Sequence, residues 1–332
     1  MTQATLTKRD MKSDQEVRWC PGCGDYAILN TVQGVLASLG FTKEELCVVS
    51  GIGCSSRFPY YMDTYGFHSI HGRAPAVATG IKLSNPELSV WLVTGDGDGL
   101  SIGGNHMIHL LRRNVDMKVL LFNNEIYGLT KGQYSPTSPL GLRTKSTPMG
   151  SVDRPFNPLS LALGAGATFV ARTIDTHAKH LEQILRAAAE HKGTAFIEIY
   201  QNCVIFNDGA FDSVADRKVR DDRTVDLRPG EPLVFGKDQE HGICIDGFET
   251  RRVPAAEASV WDPTTSTPAP GFLLAQMDSD PSLPRPMGIF RQVAAPLFDQ
   301  AVGAQIETAV EKKGRGALAD LIETGDMWTV EG

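Results

Sequence analysis

The sequence contains no long apolar run, and this absence excludes several classes of protein. No stretch approaches the roughly 18 consecutive apolar residues that a membrane-spanning helix requires. The first residues, MTQATLTKRD, lack the apolar core of a secretory signal peptide. Positive charge is also scarce, and a net charge of −7 argues against binding to nucleic acid or to an anionic membrane surface. We therefore expect a cytoplasmic protein that binds neither nucleic acid nor membranes.

Cysteine is sparse but unevenly placed. Six cysteines occur in 332 residues, and Cys20 and Cys23 share the Pro-Gly turn of WCPGCGD. In a reducing cytoplasm this CxxC pair indicates a metal, a cluster or redox chemistry rather than a structural disulfide. No histidine pair accompanies it, and no ferredoxin-like CxxCxxCxxxC run is present. Cys47 lies in an apolar strand pattern and is expected to fill the core, and Cys244 is assigned no role. Spacing alone leaves zinc, an iron–sulfur cluster and a redox dithiol open.

The first 205 residues alternate apolar strands with helices. Strand patterns lie at 46–50, 89–94, 118–123, 168–172 and 195–200, and helical patterns at 25–39, 75–83, 102–111 and 177–191. We expect Asp25 to cap the first helix, and Ser101 to Gly104 to open the third. The alternation predicts an α/β fold with a doubly wound, mostly parallel sheet. Ligands of such folds bind beyond the carboxyl ends of the strands.

The amino-acid composition of the sequence changes after Cys203. Residues 206–290 are polar and rich in turns and proline, and helical character returns at 298–313 and 316–323. We therefore predict a domain at 1–205, followed by a C-terminal extension at 206–332 that packs on this domain or on a partner subunit.

Acidic and amide side chains follow two neighbouring strands of the predicted sheet. The strand at 89–94 runs into GDGDGLSIGGNH, and the strand at 118–123 runs into NNEIYGLTKGQ. The 25 residues between the GDG and NN motifs suffice for a loop, a helix and a returning strand, so Asp96 and Asn124 should emerge side by side. Mg²⁺ prefers such oxygen ligands and binds together with phosphates, which glycines allow the backbone to approach. The pattern predicts a diphosphate–magnesium site.

The GDG and NN motifs also occur in ordinary turns, so GDG alone is a weak signal. Their coupling at this spacing, each directly after a buried strand, favours the diphosphate–magnesium site. A dinucleotide site is disfavoured, because GDGDGLSIGG lacks the GxGxxG spacing and the next strand ends in Asn-Asn rather than in an acidic residue.

These motifs resemble those of a known enzyme family. GDG followed at this distance by NN resembles the thiamine diphosphate motif. WCPGCGD, SGIGCSSR, HGRAPAVATG, the GDGDG segment, NNEIYGLTKGQ with SPTS, and Cys203 together resemble the β subunit of 2-oxoacid:ferredoxin oxidoreductases over most of residues 15–210. The resemblance implies a sheet of the thiamine-diphosphate-binding type and an enzyme that decarboxylates a 2-oxoacid oxidatively.

The resemblance implies a role for four of the cysteines. In the family, four β-subunit cysteines hold one 4Fe–4S cluster, and Cys20, Cys23, Cys54 and Cys203 match that pattern. A zinc site would use the same ligands, but oxidative decarboxylation needs an electron acceptor and zinc has no redox chemistry. We therefore expect one cluster in this chain.

The resemblance also implies the cofactor ligands. Mg²⁺ and the diphosphate of thiamine diphosphate would bind to Asp96, Gly97, Asp98, Asn124 and the Ile126 carbonyl. The remaining members of the expected pocket are Ile52, Gly53, Cys54, Ser55, His71, Gly95, Gly128 and Leu129. His71 would donate a hydrogen bond to the diphosphate, although a histidine beside glycine and arginine is also commonly an ordinary satisfied polar residue.

Substrate choice depends on positive charge. A dicarboxylate such as 2-oxoglutarate needs cations, and Arg57 and Lys131 would each reach one of its ends. The alternative is that both are solvated loop cations. The form YGLTKGQ with SPTS resembles the 2-oxoglutarate or broad 2-oxoacid class, so we expect 2-oxoglutarate, with pyruvate or a broad range of 2-oxoacids as the alternative.

The resemblance implies partners as well. Thiamine enzymes carry the glutamate that activates the aminopyrimidine on a separate pyrimidine-binding domain, and this chain has room for the diphosphate domain only. We expect an α subunit in an αβ or (αβ)₂ assembly, coenzyme A as acyl acceptor and ferredoxin as electron acceptor. A non-catalytic, zinc-stabilised binding subunit is the alternative from a different class.

Overall fold

The computed structural model describes residues 6–331, which form eleven strands and eleven α-helices. The strands are β1 (Leu46–Ser50), β2 (Tyr65–His68), β3 (Ser89–Gly95), β4 (Lys118–Asn123), β5 (Phe169–Ile174), β6 (Ala195–Tyr200), β7 (Thr224–Leu227), β8 (Val234–Phe235), β9 (His241–Asp246), β10 (Glu249–Pro254) and β11 (Arg285–Gln292). The helices are α1 (Asp25–Ser38), α2 (Ala74–Ser84), α3 (Asp96–Leu100), α4 (Gly104–Arg113), α5 (Pro158–Gly164), α6 (Ala178–Glu190), α7 (Asp212–Ala215), α8 (Arg220–Arg223), α9 (Ala269–Gln276), α10 (Phe298–Lys313) and α11 (Leu318–Ile322).

The main sheet has eight strands in the order β2-β1-β3-β4-β6-β5-β11-β7. All its neighbouring strands run parallel except β5 and β11, which pair antiparallel. A separate antiparallel sheet has the order β10-β9-β8. The predicted α/β fold with a doubly wound, mostly parallel sheet is therefore confirmed.

Two apolar cores cover the two faces of the main sheet. Along β4, Val119 and Leu121 enter one core with α2, α4, α5 and α9, while Leu120 and Phe122 enter the other with α1 and α6. A strand buried on both faces needs a continuous apolar run, which explains why KVLLFN carries no alternation.

The strand register aligns the carboxyl ends of the central strands. Gly95 of β3 pairs with Phe122 of β4, and Asn123 of β4 pairs with Tyr200 of β6. The residues that follow these strands therefore emerge at one edge of the sheet, as the sequence predicted for Asp96 and Asn124. We call this the carboxyl edge.

The C-terminal part of the chain contributes to both the sheet and its core. Strands β7 and β11 complete the eight-stranded sheet, and Trp261 and Phe290 are buried in the core that contains Val119. Helix α10 has the predicted bounds, and most of its residues are exposed. The division at residue 205 stays a prediction about domains, but β7 and β11 share the main sheet with the part that precedes them, and Trp261 and Phe290 share its core.

Several local predictions differ from the structure. Gly24 rather than Asp25 is the N-cap of α1, and Asp25 is its first residue. Gly24 has no room for a side chain, since an added Cβ would lie 1.8 Å from Asp175 Oδ2. The GDGDG segment is not a loop that leads to a helix at Ser101, because it forms α3 directly after β3, and α4 begins at Gly104. Acidic residues in the first turn suit the positive end of such a helix.

The edge strand β2 was not predicted from the sequence. All four of its residues are exposed, so it lacks the apolar pattern that identifies buried strands. None of the helices described is long and apolar enough to cross a membrane.

Candidate active site

A pocket of about 160 Å³ lies at the carboxyl edge, beyond β1, β3 and β4. Every residue predicted to contact the cofactor or Mg²⁺ lines it: Ile52, Gly53, Cys54, Ser55, His71, Gly95, Asp96, Gly97, Asp98, Asn124, Ile126, Gly128 and Leu129. Ile102, Phe122, Tyr127 and Thr130 line it as well and were not predicted. The structure thus brings the predicted set together, and the binding role of each residue stays a prediction.

Asp96 is a buried carboxylate whose side chain is held by two hydroxyl groups. Ser135 Oγ and Thr137 Oγ1 donate to Asp96 Oδ2 at 2.5 and 2.6 Å. Burial nevertheless raises the pKa of Asp96 to about 6, against the lowering effect of these hydrogen bonds. A neighbouring cation would stabilise the ionised form of this buried carboxylate, which is consistent with a divalent metal at the pocket.

The loop after β4 presents Asn124 and Ile126 to the same pocket. Asn124 Oδ1 accepts from the Ile126 N–H at 3.2 Å, and its Nδ2 donates to Gln201 Oε1 at 2.9 Å. The Asn124 carbonyl accepts from Asn207 Nδ2 at 2.9 Å. Glu125, between them, has a left-handed φ of 55°, which non-glycine residues seldom adopt. Hydrogen bonds on both sides therefore hold an unusual turn whose oxygens suit a hard metal ion.

Asp98 lines the pocket, but protein donors already occupy its carboxylate. Oδ1 accepts from the Gly72 N–H at 2.7 Å, and Oδ2 accepts from Thr94 Oγ1 at 2.9 Å. Burial raises its pKa, while these hydrogen bonds oppose the shift. Asp98 thus fastens the His71–Gly72 turn to β3 and shapes the pocket.

Gly97 has no room for a side chain, because the ring of Tyr127 lies against its Cα. A Cβ at this position would lie 2.1 Å from the ring of Tyr127, whose hydroxyl donates to the Gly97 carbonyl at 3.2 Å. The close approach of backbone and ring requires glycine here. Glycine here therefore lets the Tyr127 ring pack directly against the backbone that follows Asp96.

Of the four predicted cluster ligands, Cys54 lines this pocket and the other three lie close to it. A Cβ at Gly128 would lie 3.5 Å from Cys203 Sγ and 3.6 Å from Cys54 Sγ, so both sulfurs face one point of the loop backbone. Burial and then Asp25 raise the pKa of the Cys23 thiol, and the nearby Cys203 and Cys54 raise it further. Cys20 is likewise a minor neighbour that raises the pKa of Cys54. The structure therefore gathers all four thiols at the carboxyl edge.

The surroundings of the four thiols are relevant to the kind of metal centre that they could bind. Across residues 6–331 no three Cys, His, Asp or Glu side chains converge tightly enough to hold a single ion. A tetrahedral zinc site would need thiolates within about 3.8 Å of one another. Burial, then the carboxylate of Asp25, raises the pKa of Cys54 to about 12, so a positively charged centre would be needed to stabilise its thiolate. The four thiols are the ligand type that both a zinc ion and a 4Fe–4S cluster use, and the centre that they hold stays a prediction.

Comparison with known proteins identifies the family. Residues 51–199 match the family model of the thiamine pyrophosphate enzyme, C-terminal TPP binding domain. The chain is 54% identical to 2-oxoglutarate oxidoreductase subunit KorB of Mycobacterium tuberculosis, over 97% of this chain and 88% of that protein. It is 47% identical to 2-oxoacid:ferredoxin oxidoreductase 2, subunit beta, of Aeropyrum pernix, over 60% of this chain and 64% of that protein. The chain belongs to the 2-oxoacid:ferredoxin oxidoreductase β-subunit family.

A solved structure supports the same assignment for this β subunit. This β subunit resembles a chain of 2-oxoglutarate:ferredoxin oxidoreductase from Magnetococcus marinus with 2-oxoglutarate, coenzyme A and succinyl-CoA bound. The TM-score is 0.74 at 34% sequence identity, and the match covers 97% of this chain and 96% of that chain. The β subunit is thus part of an oxidoreductase, and its whole length shares the fold of a family member.

The two cations predicted to bind substrate lie in different surroundings in the β subunit. Arg57 lines a second cavity of about 460 Å³, which shares Ile52, Gly53 and Leu129 with the cofactor pocket. Its Nε donates to the Tyr61 hydroxyl at 3.1 Å, so the ring steadies the guanidinium. Lys131 is exposed in the 127–133 turn and lines neither of these two cavities. Arg57 thus lies beside the cofactor pocket and Lys131 does not, and the substrate role of each stays a prediction.

Sequence reasoning missed the hydroxyls that hold Asp96. Ser135 and Thr137 lie in the long connection between β4 and α5, about 40 residues from Asp96, where no periodic pattern reveals their position. The available signal was the hydroxyl-rich segment SPTS itself, since clustered hydroxyls close to a metal-binding loop are candidate donors to a carboxylate.

Proposed function

We propose that this β subunit binds thiamine diphosphate, Mg²⁺ and one 4Fe–4S cluster. With its partner it would convert 2-oxoglutarate and coenzyme A to succinyl-CoA and CO₂, with electrons passed through the cluster to ferredoxin, reversibly in principle. One juxtaposition carries the proposal: Cys54 lines the cofactor pocket and, with Cys203, faces Gly128. A cofactor pocket and a set of redox-capable thiols therefore share one wall.

The chain's own residues divide the work of holding the cofactors. Asp96, Asn124 and the Ile126 carbonyl would ligate Mg²⁺, with Ser135 and Thr137 fixing Asp96. Bound thiamine diphosphate supplies an electron sink for decarboxylation. A bound 4Fe–4S cluster supplies a one-electron carrier. The positions of the ligands at one edge would keep both groups within a short distance.

Arg57 is the residue we assign to the distal carboxylate of the substrate. Its Nε is engaged by Tyr61, which leaves the terminal nitrogens of the guanidinium to form a two-point contact with a carboxylate in the adjoining cavity. The names of relatives refer to 2-oxoglutarate, and the Magnetococcus marinus structure holds it, which supports this substrate over pyruvate.

An α subunit would complete the site. The carboxylates that line the pocket are those of Asp96 and Asp98, and protein hydroxyl or backbone groups hold both. Neither is free to activate an aminopyrimidine, so a partner would provide that glutamate. Exposed Ile70, Ile102 and Leu129, near the pocket, offer an apolar surface for such a partner. We infer an αβ or (αβ)₂ assembly.

Anaerobic co-purification with the α subunit tests the proposal. We expect iron and acid-labile sulfide in equal amounts, bound thiamine diphosphate, and ferredoxin reduction that depends on 2-oxoglutarate and coenzyme A. The β subunit alone should not turn over. Zinc without iron would favour the non-catalytic binding subunit, and much faster reduction with pyruvate would remove 2-oxoglutarate as the substrate.

Substitution of Arg57 tests substrate choice separately. Arg57→Met should lower kcat/KM for 2-oxoglutarate by about 10- to 100-fold, the range expected for loss of hydrogen bonds to a charged group. The value for pyruvate should change little, because pyruvate lacks the distal carboxylate. Lys131→Met is the matched control and should have a smaller effect. Equal losses with both substrates would contradict the role of Arg57.

A further inference from the structure

Gln201 lies between the magnesium site and the thiols, and its side chain contacts both. The residue follows β6 and is 1% exposed, and its N–H donates to the Asn123 carbonyl at 2.9 Å. Its Oε1 accepts from Asn124 Nδ2 at 2.9 Å, and its Nε2 donates to Cys23 Sγ at 3.3 Å. One buried amide therefore joins an expected metal ligand to an expected cluster ligand.

Two backbone groups fix the orientation of the amides. The Ile126 N–H donates to Asn124 Oδ1, so the nitrogen of Asn124 is the atom that faces Gln201. The Asn202 carbonyl lies 2.5 Å from Gln201 Nε2, and a carbonyl can only accept. A flip of either amide would bring like partners together, so the Gln201 oxygen must face Asn124 and its nitrogen must face Cys23.

The contact with Cys23 bears on the charge of the sulfur. The Cys23 side chain is partly buried, and burial away from water disfavours negative charge on its sulfur. Gln201 is the one side chain among residues 6–331 that donates a hydrogen bond to this sulfur. Hydrogen bonds to cluster sulfurs stabilise the reduced, more negative state and thereby raise the reduction potential.

The contact with Asn124 bears on the metal. A planar amide whose nitrogen is held also has a held oxygen, so Gln201 and the Ile126 N–H together position Asn124 Oδ1. Groups that orient metal ligands in this way typically change metal affinity by about 10- to 100-fold when removed.

We propose that Gln201 is a positioning residue shared by the two centres: it orients Asn124 for the metal and raises the potential of the cluster through Cys23. The inference rests on the proposed function, because it requires Mg²⁺ and a cluster at these ligands. It adds a link between them that neither ligand set provides alone.

Two substitutions separate the two contacts. Gln201→Leu removes both the acceptor for Asn124 and the donor to Cys23. Gln201→Glu retains an oxygen for Asn124 but replaces the donor with a negative charge beside the sulfur. Gln33→Leu is the matched control, since Gln33 is also buried and donates to the Tyr61 carbonyl, on helix α1.

Each variant is measured as the intact complex with the α subunit. The cluster potential is obtained by anaerobic redox titration followed by electron paramagnetic resonance, without substrate. The Mg²⁺ affinity is obtained by titrating the chelator-treated complex with Mg²⁺ in excess thiamine diphosphate. We expect a lower potential in Gln201→Leu and a still lower one in Gln201→Glu. We expect Mg²⁺ affinity to fall by about tenfold or more in Gln201→Leu and to stay near wild type in Gln201→Glu.

Opposite results would overturn the inference. Wild-type potential in both Gln201 variants would remove the role at Cys23, and equal changes in Gln33→Leu would show only a general loss of packing. If Gln201→Leu fails to assemble, the isosteric Gln201→Glu still decides the potential. A wild-type complex without a cluster or without Mg²⁺-dependent cofactor binding would contradict the proposed function itself, which is a different outcome.

Discussion

The neighbouring strands β3 and β4 have a buried charged residue at each end of the pair, Lys118 at the amino end of β4 and Asp96 directly after β3, and the two ends differ in how completely these charges are paired. At the amino end, Lys118 Nζ donates to Asp116 Oδ1 at 3.0 Å and to the carbonyls of His191 and Gly193 at 2.7 and 3.3 Å. At the carboxyl end, Asp96 has hydroxyl partners, and within residues 6–331 it forms no ion pair with a basic side chain. The amino end is complete without a ligand, and the carboxyl end is not.

This difference separates stability from function between the two ends of one pair of neighbouring strands. A buried cation that meets three acceptors holds the fold together. A buried carboxylate without a counter-charge costs folding free energy, and a bound cation would recover that cost. The carboxyl edge therefore has a deficit of positive charge that both proposed centres, Mg²⁺ and the iron cluster, would fill.

The largest expected effect comes from a thiol at the carboxyl edge. Cys20→Ser should abolish substrate-dependent ferredoxin reduction, because a cluster with three thiolate ligands would be lost or unstable. Iron and sulfide content and the visible spectrum of the anaerobic complex measure the change. Cys244→Ser, on β9 away from this edge, is the control and should keep both iron and rate. Full iron content in Cys20→Ser would show that the edge does not use this thiol.

Asp96→Asn should have opposite effects on binding and on stability. Mg²⁺-dependent binding of thiamine diphosphate should weaken by more than about 100-fold, beyond the range typical of residues that only orient ligands. The cofactor-free protein should melt at a higher temperature, because the substitution removes a carboxylate whose pKa burial has raised to about 6. Calorimetry of the stripped protein and cofactor titration measure the two effects. A lower melting temperature would show that Asp96 is already well compensated.

The sequence was sufficient to predict the central strands and the position of the motifs that follow them. Strands such as β4 and β6 are buried on both faces, so their apolar runs are unmistakable, and their predicted bounds are those observed. The GDG and NN motifs could be placed at one edge because parallel strands align their carboxyl ends. The exposed strand β2 carries no such signal.

Contacts between distant segments could not be predicted. Arg172 on β5 donates to Glu198 on β6 at 2.6 Å and to both carboxylate oxygens of Asp278 near α9, and Glu198 in turn accepts from Asn123. These four side chains lie in four separate segments, and only the folded sheet brings them together. The same limitation concealed the Gln201 amide, whose significance depends on Asn124 and Cys23 being its neighbours.

At the amino end of β4, loss of the cation should cost stability and spare function. Lys118→Met should lower the free energy of unfolding by about 3 kcal/mol, because it leaves Asp116 and two carbonyls without their shared donor. Denaturant unfolding of the stripped protein measures this loss, and cofactor affinity should be unchanged. The control is Lys179→Met, an exposed position on α6 where the change should be near zero. A loss of cofactor affinity in Lys118→Met would show that the two ends are coupled.

A dependence of stability on pH is expected at this same end. His191 is buried beside Lys118 and its Nε2 lies 2.8 Å from Thr168 Oγ1, and burial, then the charge of Lys118, lowers its pKa to about 4. Between pH 6.5 and 4 the unfolded chain therefore takes up a proton that the folded protein does not, so stability falls as pH falls, by up to about 1.4 kcal/mol per pH unit. His191→Gln should flatten this slope in unfolding curves recorded across the window, and His106→Gln, on α4, should not. An unchanged slope in His191→Gln would mean that the amino end does not contribute to acid sensitivity, which would then come from other groups such as His177, whose pKa burial also lowers to about 4.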